Sequence, residues 1–167
     1  MVKRKITEYA GIVIILLCVI LIFLRFYWVA AIVYVLWYIL FGFVGLAFYF
    51  SSRRKIALSN LFIRITVHPT LLPFGKSFYF WTKSVNLILK DSTNIKKAYS
   101  LAEKVNIDNL YIDNNKAMFC SYLASLYNDL GEKTLAEKYI QIAQNIPHNK
   151  MLDETINRLI EEIAKPG

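Results

Sequence analysis

Between Tyr9 and Lys90 the sequence holds no acidic residue. From Met1 to Lys90 there are eleven Lys or Arg and one acid, Glu8; from Asp91 to Gly167 there are nine and eleven. The net charge of +8 therefore divides into +10 and −2. A nucleic-acid footprint is excluded, because the basic excess lies in the apolar half and the polar half is slightly acidic. An attraction to anionic lipid headgroups, about 1 kcal/mol per basic residue near the surface, fits the excess instead.

Cysteine and histidine are scarce too. Cys18 lies in an apolar run and Cys120 in the polar half, which excludes a disulfide framework and leaves no zinc-ligand spacing. His68 stands beside Pro69 and reads as a turn residue, far in sequence from His148, the only other histidine. There is no glycine-rich phosphate loop, nucleophile elbow or paired metal-ligand histidine. Asp129, Glu132, Glu137, Asp153, Glu154, Glu161 and Glu162 read as solvated helix ends and faces. No enzyme activity, cofactor or metal is expected.

What the sequence has in abundance is apolar length. From Ile6 to Phe50 the only charges are Glu8 and Arg25. One straight helix over those residues would reach about 68 Å, against a hydrocarbon core of about 30 Å. The run predicts a two-helix transmembrane hairpin over residues 1–55, with spans near 6–24 and 27–50. The turn between them is placed at Arg25, with Phe26, Tyr27 and Trp28 at headgroup level. Lys3, Arg4 and Lys5 precede the first span, and Arg53, Arg54 and Lys55 follow the second. The positive-inside rule puts both termini in the cytoplasm. The Lys-, Ile- and Asn-rich usage points to a bacterial cytoplasmic membrane. A cleaved signal peptide, with Ala30 and Ala31 at the cleavage site, is the competing reading, disfavoured by the second apolar run. Glu8, four residues from Arg4, is expected in an interfacial ion pair.

In the second span Tyr34, Trp37, Tyr38, Phe41, Gly45, Phe48 and Tyr49 share one face at helical spacing, with Gly42 beside it. Packing on the first span or lipid exposure is the favoured account of that face; docking of another membrane subunit is the competing one. Residues 56–77 are too polar to span and too apolar for a free tether. They predict an interfacial connector helix, broken by Pro69, Pro73 and Gly75.

From Phe78 onward the period is helical. Phe78, Trp81, Val85 and Leu89 make the buried stripe of a first helix, with Lys83 and Lys90 off it. Helices are expected over Ile95–Val105, Lys116–Leu130, Thr134–Asn145 and Met151–Ala164, with Gly131 ending the one over Lys116–Leu130. The expected class is all-α.

The 34 residues from Ala117 to Lys150 resemble a tetratricopeptide repeat. Leu123, Ala124, Tyr127, Gly131, Ala136, Ala143 and Pro147 carry the resemblance, with Cys120 in place of the usual large aromatic. Residues from about 79 to 115 look like a degenerate copy, with Trp81, Val85, Leu89 and Ala98 near expected places. The last helix looks like a solvating cap. The resemblance implies binding of a protein or peptide on the face formed by the first helix of each pair. That face would present Phe80, Lys83, Leu87, Lys90, Met118, Ser121, Ser125, Asn128 and Asp129. Leu87 and Tyr122 stand where a carboxylate clamp would need amides, so chaperone-tail binding is not implied. The expectation is a membrane-anchored scaffold docking a protein or peptide at the cytoplasmic face. The alternative is an accessory subunit of a transporter or other membrane complex, contacting its partner through the hairpin.

Overall fold

The computed structural model describes residues 13–14, 16–38, 42–69 and 73–164. Glu8, Phe41 and the basic residues before the first apolar run lie outside the described residues. All regular structure among the described residues is helical. The chain divides into two compact units between Tyr79 and Phe80.

In the first unit, α1 covers residues 16–23 and α2 is Tyr27–Trp37. Between them Arg25 adopts a left-handed backbone, φ 62°. The Cys18 thiol lies 3.8 Å from the Ala30 carbonyl oxygen, across the turn. Most other side chains here are outward and apolar, with Phe23 84% and Trp28 85% exposed. No helix among the described residues is long and apolar enough to cross a membrane. α2 has 11 residues, roughly 16 Å of helix.

α3 (Phe43–Ser52) and α4 (Ile56–Ile65) form an antiparallel pair joined at Arg53–Lys55. Their seam is built of small residues. Ala47 and Ser59 are fully buried, and the Ser59 hydroxyl donates to the Ala47 carbonyl at 2.8 Å. Phe62 stacks on Phe50 at 5.3 Å and tilts against Phe43 at 5.4 Å. Small residues bring the backbones close, and the Phe62 ring of α4 bridges Phe43 and Phe50 of α3.

α5 begins at Pro73 rather than at Phe78, with Gly75 inside it and Lys90 at its end. Pro73 was expected to break the chain. In a first turn its missing N–H is harmless and its fixed φ is already helical, so it starts a helix instead. The buried surface of α5 also differs from expectation. Phe78 and Trp81 are buried, but Leu89 is 36% exposed, while Ser77, Thr82, Ser84 and Asn86 are buried. A period of apolar residues does not see hydroxyls that find partners: Ser84 donates to the Ala98 carbonyl at 2.6 Å and meets the Tyr122 hydroxyl at 2.7 Å.

In the second unit, α6 (Ile95–Ala102) presents Ala98 and Ala102 to the core. It stops short of Val105, which is buried beyond the helix end. The connection that follows is ordered by a short 3-10 turn, Ile107–Leu110, whose Leu110 is fully buried. α7 (Asp113–Asp129) and α8 (Lys133–Asn145) are joined at Gly131, φ 82°. Ala117, Ala124, Ala136 and Ala143 are all fully buried, so small residues set the spacing of this pair. Tyr127 stacks on Tyr139 at 5.4 Å and meets Tyr99 edge-on at 5.3 Å, its hydroxyl 3.1 Å from that of Tyr99. The three rings link α6, α7 and α8. α9 (Lys150–Ala164) buries Leu152, Ile156, Leu159 and Ile163 on one stripe. Each such side chain contributes roughly 1.5–3 kcal/mol by leaving water.

Candidate functional site

α7 and α9 run in the same direction. At their starts the Asn114 side-chain oxygen accepts the Asn149 N–H at 3.1 Å. Asn149 in turn caps α9, its side-chain oxygen accepting the Leu152 N–H at 3.0 Å. At their far ends Asp129 and Glu162 are close enough to interact electrostatically. Between the two helices lies a cleft of about 380 Å³.

Met118, Leu152 and Leu159 give the cleft an apolar floor; Ser121, Tyr122, Ser125, Thr155, Arg158 and Glu162 complete its lining. Several of these polar groups are already engaged. Ser121 donates to the Ala117 carbonyl at 2.9 Å and Thr155 to the Met151 carbonyl at 3.3 Å. Tyr122 is held by Ser84 at 2.7 Å, and burial, offset in part by that bond, pushes its hydroxyl up to about 12. The Ser125 hydroxyl, the Arg158 guanidinium and the Glu162 carboxylate are the groups able to turn to a ligand. They can position an apolar side chain and hydrogen-bond its flanks.

The residues expected on a shared groove are distributed. Met118, Ser121 and Ser125 line this cleft. Asn128 is half-buried near the end of α7. Asp129 borders a second cleft of about 360 Å³ with Thr93, Asn94, Ile95, Lys96, Lys97 and Leu130. Partial burial, then the nearby Glu162 carboxylate, raise the Asp129 carboxyl above its ordinary range. Phe80, Lys83 and Leu87 of α5 are half-buried, Lys90 is exposed, and none of the four borders either cleft. The Lys104 ammonium sits 5.4 Å from the Phe80 ring centre.

Tyr122, Thr155, Arg158 and Glu162 were not foreseen. Reading the last helix only as a cap hid the last three, which lie on α9. The signal was its regular apolar stripe, which aligns it with α7, and the four-residue spacing of Arg158 and Glu162 on the side left over.

Of the proposed membrane face, Tyr34 is 53% exposed, and its ring lies 5.4 Å from that of Tyr38, which meets Phe43 at 5.8 Å. Trp37 is half-buried, and Phe41 lies outside the described residues. A side chain added at Gly45 would meet nothing within 4 Å, whereas one at Gly42 would strike the Tyr38 ring at 2.9 Å. Among the described residues no His, Cys, Asp or Glu side chains group to hold a metal ion.

No known protein family, curated protein or solved structure matches this chain.

Proposed function

We propose that this chain is a membrane-anchored scaffold of the tetratricopeptide type. It docks a protein or peptide segment on the face shared by α7 and α9, while the apolar run from Ile6 to Phe50 holds it in a bacterial cytoplasmic membrane. The observation that carries the reading is the cleft between two parallel helices, with an apolar floor and Ser125, Arg158 and Glu162 in its lining. A few placed polar groups over an apolar surface suit a side chain entering from an extended partner. The fully buried alanines of α7 and α8, and the left-handed Gly131 between them, agree with the resemblance.

A photoreactive side chain at Ser125 of the full chain, in cells, tests it. One defined partner should be cross-linked from that position, and Arg158→Glu should abolish the product. Labelling that Arg158→Glu leaves unchanged would remove the cleft from the account.

A second reading is favoured by the open space around Gly45 and the exposure of Tyr34. In it the chain is an accessory subunit that meets a membrane partner through that face. Cross-links from Tyr34 but none from Ser125, lost in Gly45→Leu, would select this reading. Gly45→Leu suits the test because a Cβ added there meets no atom within 4 Å among the described residues.

A further inference from the structure

The outer face of α4 pairs aliphatic exposure with positive charge. Ser59 and Ile63 turn inward, 0% and 7% exposed. At helical spacing this leaves Leu58, Leu61 and Ile65 on the opposite side, 40%, 51% and 39% exposed. Arg64 falls on one flank of that stripe and Lys55 on the other. Both are exposed, as are Arg53 and Arg54 in the turn that opens the helix. No carboxylate occurs anywhere from Tyr9 to Lys90 to neutralise them.

We propose that this face of α4, with the Arg53–Lys55 turn, is a docking surface for an anionic bilayer. The inference rests on the membrane reading above and adds to it a second contact, distinct from the apolar anchor. Three aliphatic side chains one turn apart match the shallow apolar zone beneath lipid headgroups, and long cationic side chains on both flanks reach back to the phosphates. The α3–α4 seam holds the stripe outward: with Ser59 bonded to Ala47, the helix cannot roll to hide Leu61 without breaking that bond. Juxtamembrane clusters of Lys and Arg prefer anionic over neutral lipid for the same electrostatic reason.

The test uses the full chain with Cys18→Ser, Leu61→Cys and an environment-sensitive fluorophore at position 61, in nanodiscs of phosphatidylcholine alone or with one third phosphatidylglycerol. Cys120 is fully buried and does not compete for label. The same fluorophore at position 35, from Val35→Cys, reports on the anchor. In anionic discs the emission from position 61 should shift to the blue and resist an aqueous quencher; in neutral discs it should not. Arg53→Gln, Arg54→Gln, Lys55→Gln and Arg64→Gln together should abolish the difference. If position 61 stays aqueous in both discs while position 35 is lipid-shielded, the docking surface is refuted and the anchor stands. If position 35 is aqueous as well, the anchor reading fails with it. Equal shielding of position 61 in both discs, unchanged by the four substitutions, also overturns the proposal, because anionic lipid is then not what covers the stripe.

Discussion

Arg54 and Gly131 hold the same place in the same helix-ending turn. Both are left-handed, φ 56° and 82°. Each N–H returns to a carbonyl three residues back, Arg54 to Ser51 at 2.9 Å and Gly131 to Asn128 at 3.0 Å. The next N–H returns to a carbonyl five residues back, Lys55 to Phe50 and Glu132 to Tyr127, both at 2.9 Å. Arg25 repeats the arrangement after α1, with Arg25 bonded to Ile22 and Phe26 to Leu21. This is the Schellman closure, in which glycine is the usual left-handed residue.

A left-handed backbone costs a residue with a side chain about 1–2 kcal/mol. Gly131→Ala should therefore destabilise the chain by about 1 kcal/mol. Space is not the cause, since an added carbon there meets nothing within 4 Å. Arg54→Gly should change stability in the opposite direction and by less, because it surrenders a cation near the carbonyl end of α3. Denaturant unfolding of the two variants beside the parent checks both signs.

The two turns also show what was readable in the residues. Gly131 announces its turn, because glycine after an amphipathic run signals a helix end. Arg54 announces only charge, and the antiparallel return of α4 along α3 stayed hidden because nothing in the turn breaks a helix on paper. The same holds for α5. Its apolar period was plain, but the burial of Ser84 depends on Ala98 and Tyr122, which other elements supply. Helix type and order were legible from local pattern. The cleft was not, because it needed Asn114 to be tied to Asn149, thirty-five residues away.

Ser59 and Ser51 should respond oppositely to the same change. Ser59→Ala removes a buried hydrogen bond to Ala47 and should cost about 1 kcal/mol. The Ser51 hydroxyl is buried without a hydrogen-bond partner among the described residues. Ser51→Ala removes that unmet group and should leave stability unchanged or raise it by about 1 kcal/mol. Thermal unfolding in a mild detergent compares them, and a loss in Ser51→Ala as large as in Ser59→Ala would show that the Ser51 hydroxyl is bonded.

Cys120 should be silent to thiol reagents in the folded chain. It is fully buried, and burial pushes its thiol up to about 11. Thiolate is the reactive form, so maleimide at pH 7.5 should modify it only on unfolding, at a rate that follows denaturant. Labelling at Cys120 therefore reports opening of the second unit, not the side of a membrane. Topology is better read at Met151→Cys, a position 78% exposed.

Alkaline pH should loosen the contact between α5 and α7. Burial is the main cause that raises the Tyr122 hydroxyl to about 12, from an ordinary value of 10.0. An acid whose folded value is raised binds its proton more tightly when folded. Its contribution is thus complete below pH 10 and lost as pH rises through 12. Tyr122→Phe has no such proton to lose. Its stability should fall less steeply than the parent's between pH 10 and 12, and parallel curves from circular dichroism would refute the assignment.

Asp129 and Glu162 set two carboxylates together at the carbonyl ends of α7 and α9, where the helix dipoles are negative as well. Lys96 and Lys97 border the cleft beside Asp129, yet no ion pair to it forms among the described residues. Burial first, and the Glu162 charge second, raise the Asp129 carboxyl. The folded state therefore holds the Asp129 proton more tightly, and its contribution falls away as pH rises past the ordinary carboxylate range. Glu162→Gln should then raise stability at pH 7, and the advantage should vanish at low pH, where both groups are protonated in the parent. A partner presenting a basic side chain at this end of the cleft would relieve the same repulsion. Binding through the cleft should thus weaken in Glu162→Gln even as the free chain becomes more stable, a divergence that titration calorimetry and thermal unfolding of one variant would reveal together.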